Sequence, residues 1–125
     1  MLLQMPFLGG LDLDDTQISF YGLKFENAFL REKGKAFETF FARVMGHGFP
    51  ADFEPVRPYG PKGDLKCDGY RGSDGTVFQC YAPDAMNLAQ LLAKIDEDFH
   101  GALAHWGSRM HRWCFVHNDG RGLPA

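Results

Sequence analysis

The sequence predicts an α/β domain in which helices lie on the faces of a sheet, and three observations lead to that prediction. Two segments carry apolar residues at helical spacing, two segments between them have strand character, and an aromatic-rich strand follows the second helix. The order helix, strand, hairpin strands, helix, strand is typical of such a sheet. With 125 residues and 12 Phe, the chain has the length and the large side chains for one core rather than two.

The N-terminal part of the chain divides into an arm and a helix. Residues 1–33 are predicted to form an arm of unassigned role, in front of a domain that spans 34–125. Within the arm, residues 16–34 favour a short strand or helix with four apolar anchors: Phe20, Leu23, Phe25 and Phe29. Residues 34–46 predict an amphipathic helix that ends at the glycines that follow, because five apolar residues share one face: Phe37, Phe40, Phe41, Val44 and Met45.

The middle of the chain predicts a loop and a β-hairpin. Residues 49–62 are rich in Pro and Gly and favour a loop, with one short extended piece at 53–56. Residues 63–71 and 76–82 have strand character, and the SDG sequence between them is a hairpin signal.

The C-terminal part predicts a helix and a strand. Asp84 is expected to cap a helix that runs to about Trp106, with five apolar residues on one face: Leu88, Leu91, Leu92, Ile95 and Phe99. Residues 111–118 favour a buried strand. The GRGLPA ending resembles the exit of a domain into further chain, so we expect the sequence to be a fragment of a longer protein.

Charge and cysteine content narrow the class of protein. A net charge of −3 argues against a strongly basic nucleic-acid module, although a carboxylate metal site would itself add negative charge. Three cysteines without CxxC spacing suit reduced thiols of a cytoplasmic protein. The N-terminus has no cationic segment typical of a secretory signal, and no apolar run reaches membrane-spanning length, so no membrane partner is expected.

Polar residues alternate along the two predicted hairpin strands. With a period of two, Asp64, Lys66, Asp68 and Tyr70 share one face of the first strand, and Gln79 and Tyr81 share one face of the second. Both intervening cysteines, Cys67 and Cys80, are expected on the opposite face. The polar faces would converge into a site, although the same alternation is the default for a half-exposed sheet.

The hairpin sequence GDLKCDGY…TVFQCYAP resembles the Mrr-like branch of the PD-(D/E)xK nuclease superfamily. In that branch a G-D-x-G-x-D-G segment is followed, one strand later, by Q-x-K or E-x-K, and the preceding helix often carries an F-E pair, here Phe37-Glu38. The resemblance covers roughly residues 34–118 and implies a restriction-endonuclease-like core with a mixed central sheet flanked by helices. FQCYAP and FVHNDGRGLP are also similar to stretches in N-terminal domains of bacterial defence proteins associated with an ABC-type ATPase (the ABC three-component type).

The resemblance implies a metal-dependent endonuclease acting on DNA phosphodiesters in an anti-phage or restriction-type system. Residue by residue, Asp68 matches the metal-binding Asp, Gln79 matches the (D/E)/Q position, and Glu38 matches the helix glutamate. These residues would hold Mg²⁺ or Mn²⁺, which prefer hard oxygen ligands. DNA, a homodimeric second copy and an ABC-type ATPase are the partners implied.

Tyr81 departs from the signature because it occupies the lysine position. A phenol is neutral at pH 7 and brings no positive charge to the transition state. Lys66 on the predicted polar face, Lys94 on the following helix, or Tyr81 itself in a changed mechanism would have to assist the attacking water. We therefore expect Asp68, Gln79, Lys66 and Tyr81 to be the catalytic residues if the domain is active.

Two other readings of the same residues stay open. The first is a catalytically degenerate module that binds nucleic acid or assembles a defence complex, which Tyr81 and the acidic net charge favour. The second is a small scaffold domain whose polar strand face is only surface. Locally, Asp68-Gly69 is also typical of a turn, and Glu38 and Lys66 would then be ordinary solvated side chains.

Overall fold

The computed structural model describes residues 13–56 and 67–123. This part of the chain is a mixed α/β fold with three helices and an open four-stranded sheet, so the predicted α/β class is confirmed. The elements in chain order are α1 (Asp15–Arg31), α2 (Gly34–Gly48), β1 (Phe53–Pro55), β2 (Gly69–Arg71), β3 (Thr76–Tyr81), α3 (Leu88–Trp106), a 3₁₀ turn (Gly107–Arg109) and β4 (Arg112–His117).

The sheet has the strand order β1-β2-β3-β4 and is mixed. β1, β2 and β3 are successively antiparallel, whereas β4 is parallel to β3 and is reached through the α3 crossover. The predicted hairpin is confirmed at the turn between β2 and β3, where Gly75 adopts a positive φ of 68°.

α2 and α3 cover opposite faces of the sheet. On one face, Phe37 and Phe41 of α2 belong to a core cluster with Phe78 of β3. On the other face, Trp106 of α3 clusters with Val77, the neighbour of Phe78. Because successive strand residues point to opposite faces, the two clusters are separated by the sheet. The predicted apolar face of α2 is confirmed, since Phe37, Phe41 and Met45 are all buried.

α3 is oriented differently from the sequence prediction. Its N-cap is Asn87, whose side chain accepts a hydrogen bond from the Gln90 N–H, rather than Asp84. The side that packs inward carries Leu91, Asp98, Ala102 and Trp106. Two of the predicted core leucines, Leu88 and Leu92, are 42% and 56% exposed. That part of the prediction is wrong because the sheet contacts a stripe that is rotated away from the Leu-rich one.

The segment predicted as a short strand or helix is the helix α1. Asp14 and Gln17 form a reciprocal capping box at its start. Phe25 and Phe29 contact α2, whereas Phe20 and Leu23 are 59% and 67% exposed, so the prediction that they are anchors is wrong. None of the helices among the described residues is long and apolar enough to cross a bilayer.

The two cysteines expected on one side of the sheet lie on opposite sides. Cys80 belongs to the α2-side core, and Cys67 belongs to the α3-side core. Period-two alternation fails at Cys67 because residues 67 and 68 form a bend that precedes β2. The earlier part of the predicted strand, residues 63–66, lies outside the described residues.

Candidate functional site

Asp68 sits in the bend that leads into β2, at the level of the middle of β3. Its backbone N–H donates to the carbonyl of Phe78 (2.8 Å), the residue that the strand register pairs with Gly69. Its carboxylate oxygen Oδ2 accepts a hydrogen bond from the backbone N–H of Cys80 (2.7 Å). The Asp68 carboxylate therefore accepts the hydrogen bond of a β3 N–H group in place of a backbone carbonyl of the neighbouring strand.

Gln79 lies directly beside Asp68, as the predicted alternation requires. The amide Nε2 of Gln79 donates to the same Asp68 Oδ2 (3.1 Å). Gln79 is only 4% exposed, and its Oε1 is buried with no hydrogen-bond partner among the described residues. A buried polar atom without a partner lowers the stability of a fold by about 1–3 kcal/mol. A cation or a hydrogen-bond donor next to Oε1 would remove this cost.

Glu38 of α2 acts on the same part of β3 through its charge. It is half-buried on α2, next to the fully buried Phe37. Burial of Cys80 raises the pKa of its thiol, and the negative charges of Asp68 and then Glu38 raise it further. Both carboxylates are thus close enough to act on Cys80, which stays a neutral thiol at physiological pH.

Of the three residues expected to take the role of the signature lysine, Tyr81 and Lys94 lie within the part of the chain that the structure describes. Tyr81 is half-buried, and its ring lies 5.8 Å from that of Phe115. The Nζ of Lys94 lies 3.2 Å from Oδ2 of Asp98, a side chain that is only 7% exposed. Lys94 is therefore bound to a buried carboxylate on its own helix. Lys66 and Asp64 lie outside the described residues.

The donor set agrees in type with a hard divalent cation. Asp68 and Gln79 present a carboxylate and an amide oxygen, which are ligand types that Mg²⁺ accepts while it keeps several waters. Within residues 13–56 and 67–123, no three His, Cys, Asp or Glu side chains are grouped closely enough to hold a metal ion. The Asp68–Gln79 pair supplies only two candidate ligand side chains, joined by one hydrogen bond.

Asn118 is a buried polar residue whose importance sequence reasoning missed. Its Nδ2 donates to the carbonyls of Phe29 and Glu32, and its Oδ1 accepts from Lys33 Nζ (3.3 Å). The Gly34 N–H at the same corner donates to the Ala82 carbonyl (2.8 Å). The corner between α1 and α2 is thus fixed by both of the stretches singled out above, FQCYAP and FVHN.

These two stretches also border a shared cavity at the carboxyl ends of the parallel strands. The cavity has a volume of about 250 Å³. Its lining residues are Leu30, Lys33, Pro83, Asp84, Met86, Asn118, Asp119, Gly120 and Arg121. Arg121 pairs with Asp119 across its rim, and this pairing lowers the pKa of the Asp119 carboxyl.

Comparison with known proteins gives no match. No family model, no curated protein and no solved structure matches the chain.

Proposed function

We propose that this chain is a metal-dependent DNA endonuclease domain with a restriction-endonuclease-like core. The observation that carries the proposal is the pair formed by Asp68 and the buried Gln79 at the centre of a mixed sheet. Gln79 is 4% exposed, and its hydrogen bond to Asp68 accounts for Nε2 but leaves Oε1 with no partner among the described residues. A site for an oxygen-liganded cation supplies a reason for it.

The arrangement of elements supports the proposal. The chain from α2 onward follows the order helix, three antiparallel strands, helix, parallel strand, which is the order that the resemblance implies. The resemblance also places the site on the second and third strands, where Asp68 and Gln79 meet.

Asp68 and Gln79 would hold Mg²⁺ or Mn²⁺, with Glu38 nearby on α2. When bound, such a cation polarises a phosphodiester and acidifies a water molecule. The hydrogen bond from the Cys80 N–H fixes the Asp68 carboxylate, so that its position does not depend on the metal. Tyr81 would orient substrate by donating a hydrogen bond from its phenol, and Lys66 is the candidate for the positive charge.

The cellular setting is part of the same proposal. The domain would act in the cytoplasm in a bacterial anti-phage or restriction-type system, alongside an ABC-type ATPase. Self-association would suit cleavage of both strands of a duplex.

A cleavage assay on plasmid and linear DNA with Mg²⁺ or Mn²⁺ tests the function. We expect the native chain to cut DNA and Asp68→Asn to lose cleavage, while Asp96→Asn on the exposed surface of α3 keeps it. Thermal unfolding checks that both variants are folded. Lys66→Ala then shows whether that lysine supplies the missing charge. A folded native chain that cleaves no DNA with either metal contradicts an active nuclease.

A second candidate function is a degenerate module that binds nucleic acid or assembles a defence complex without cutting. The hydrogen bonds of Asp68 favour it, because Gln79 and the Cys80 N–H both occupy Oδ2 and hold the strands together without any metal. Calorimetric titration with Mg²⁺ or Mn²⁺ separates the two functions. The nuclease requires heat of binding that disappears in Asp68→Asn, whereas the degenerate module requires none.

A further inference from the structure

α1 carries apolar side chains on two opposite sides. On one side, the rings of Phe25 and Phe29 lie 5.6 Å from those of Phe40 and Phe37 of α2. None of its 17 residues is buried, however. The other side projects away from α2 and includes Leu23, which at 67% exposure has more of its surface in solvent than most large apolar residues of folded proteins.

The outward side has the spacing of a two-stranded coiled coil. Its residues are separated by four, three, four and three positions: Thr16, Phe20, Leu23, Asn27 and Leu30. We call this set the outer stripe. In heptad terms Phe20 and Asn27 occupy a positions, and Thr16, Leu23 and Leu30 occupy d positions. At 3.6 residues per turn, the outer stripe lies on the side of α1 opposite Phe25.

Charged residues flank the outer stripe, with positive charges along one edge and a negative charge along the other. Lys24 and Arg31 occupy e positions, and Glu26 occupies a g position. In a parallel helix pair each g residue faces the following e residue of the other helix, so Glu26 would face Arg31 of the second copy, twice by symmetry. In an antiparallel pair e faces e and g faces g, which would bring like charges together.

We propose that the outer stripe binds the outer stripe of a second copy of this chain, as a parallel helix pair about a two-fold axis. Asn27 agrees with this arrangement, because a single Asn at an a position can pair with its own copy and specifies register and oligomeric state. The pairing covers Phe20 and Leu23, the two most exposed large apolar residues of α1, whereas Ile18 and Tyr21 lie outside the outer stripe. This inference names the surface and the orientation for the self-association proposed above, and it does not depend on nuclease activity.

Because α2 occupies the other side of α1, the body of each domain lies outside the helix pair. Leu30, at the end of the outer stripe, also borders the cavity beside Asn118 and is 40% exposed. The pair is therefore centred on Phe20, Leu23 and Asn27. Two heptads are too short for a stable pair of isolated helices, but α1 is already held in helical form by its contacts with α2.

The mass of the full chain in solution, measured by light scattering and sedimentation, is the first test. We expect a dimer for the native chain and a monomer for Leu23→Glu. Leu92→Glu on α3 is the matched control, since it introduces the same charge at a similarly exposed leucine (56%) and should leave the dimer intact. A monomeric native chain, or a dimer that Leu92→Glu disrupts and Leu23→Glu does not, overturns the proposal.

Charge reversal and cross-linking test the parallel orientation. Glu26→Lys and Arg31→Glu should each raise the dissociation constant about two- to tenfold, as expected for exposed ion pairs, and the double variant should restore it. In a parallel pair Thr16→Cys and Leu23→Cys both form a disulfide with their own copy under oxidation. Cross-linking of Leu23→Cys alone would mean an antiparallel pair and would overturn the proposal as stated.

Discussion

Substitution of Gly69 by Ala should destabilise the fold, because this glycine lies under an aromatic ring. A Cβ at position 69 would come within 3.0 Å of two carbons of the Phe53 ring, closer than Cβ atoms approach other atoms in folded proteins. The ring cannot turn aside freely, since it packs at 5.8 Å from Phe41 and 5.9 Å from Phe78. Overpacking of this kind costs about 1–3 kcal/mol in the free energy of unfolding.

Urea unfolding followed by circular dichroism measures the effect of Gly69→Ala. Gly46→Ala is the control, because a Cβ at this helical position meets no atom within 4 Å and should stabilise α2 by up to about 1 kcal/mol. Phe53→Leu removes the ring that lies against Gly69. The cost of Gly69→Ala should therefore be smaller in the Phe53→Leu background than in the native one. A midpoint unchanged by Gly69→Ala, or equal costs in the two backgrounds, would refute this reasoning.

Three further predictions concern the site, the α1–α2 corner and the loop before β1. Gln79→Glu places a second carboxylate beside Asp68, so the melting temperature of the variant should be lower than that of the native chain without metal. Mg²⁺ should raise the melting temperature of the variant more than that of the native chain, and equal increases would contradict a cation site. Asn118→Ala leaves the carbonyls at the end of α1 unbonded and should cost about 1–3 kcal/mol in urea unfolding. Arg71, followed by Ser73, lowers the pKa of Asp52 below its usual 3.8; the carboxylate therefore stabilises the fold above that pH, and the stabilities of native and Asp52→Asn protein should converge as pH falls below about 4.

The hairpin was the most predictable part of the fold. The SDG turn and the alternation along the two strands predict that Asp68 approaches Gln79, and the two side chains are hydrogen-bonded although Asp68 lies in the bend before β2. α2 was predictable for a similar reason, because Phe37, Phe41 and Met45 repeat at helical spacing and all face the same core.

The sequence did not show which of several apolar residues on α3 are buried against the sheet and which are exposed. α3 has leucines on more of its circumference than the sheet can cover, so periodicity pointed to Leu88 and Leu92 while the buried side holds Asp98 and Ala102. A buried aspartate is uncommon at such a position, and only packing against the sheet selects it. The bend at Cys67 could not be predicted either, because polar and apolar residues continue to alternate through it in the sequence.

The Asp68–Gln79 pair has a structural role whether or not it has a catalytic one. Oδ2 of Asp68 accepts from both Cys80 and Gln79, so loss of the carboxylate removes two hydrogen bonds between β3 and the bend before β2. These bonds explain the aspartate, but they leave Oε1 of Gln79 buried without a described partner. A leucine or methionine at position 79 would avoid burying that oxygen, although it would also lose the hydrogen bond from Nε2 to Asp68. The identity of residue 79, rather than that of Asp68, is therefore the stronger argument for a cation at this site.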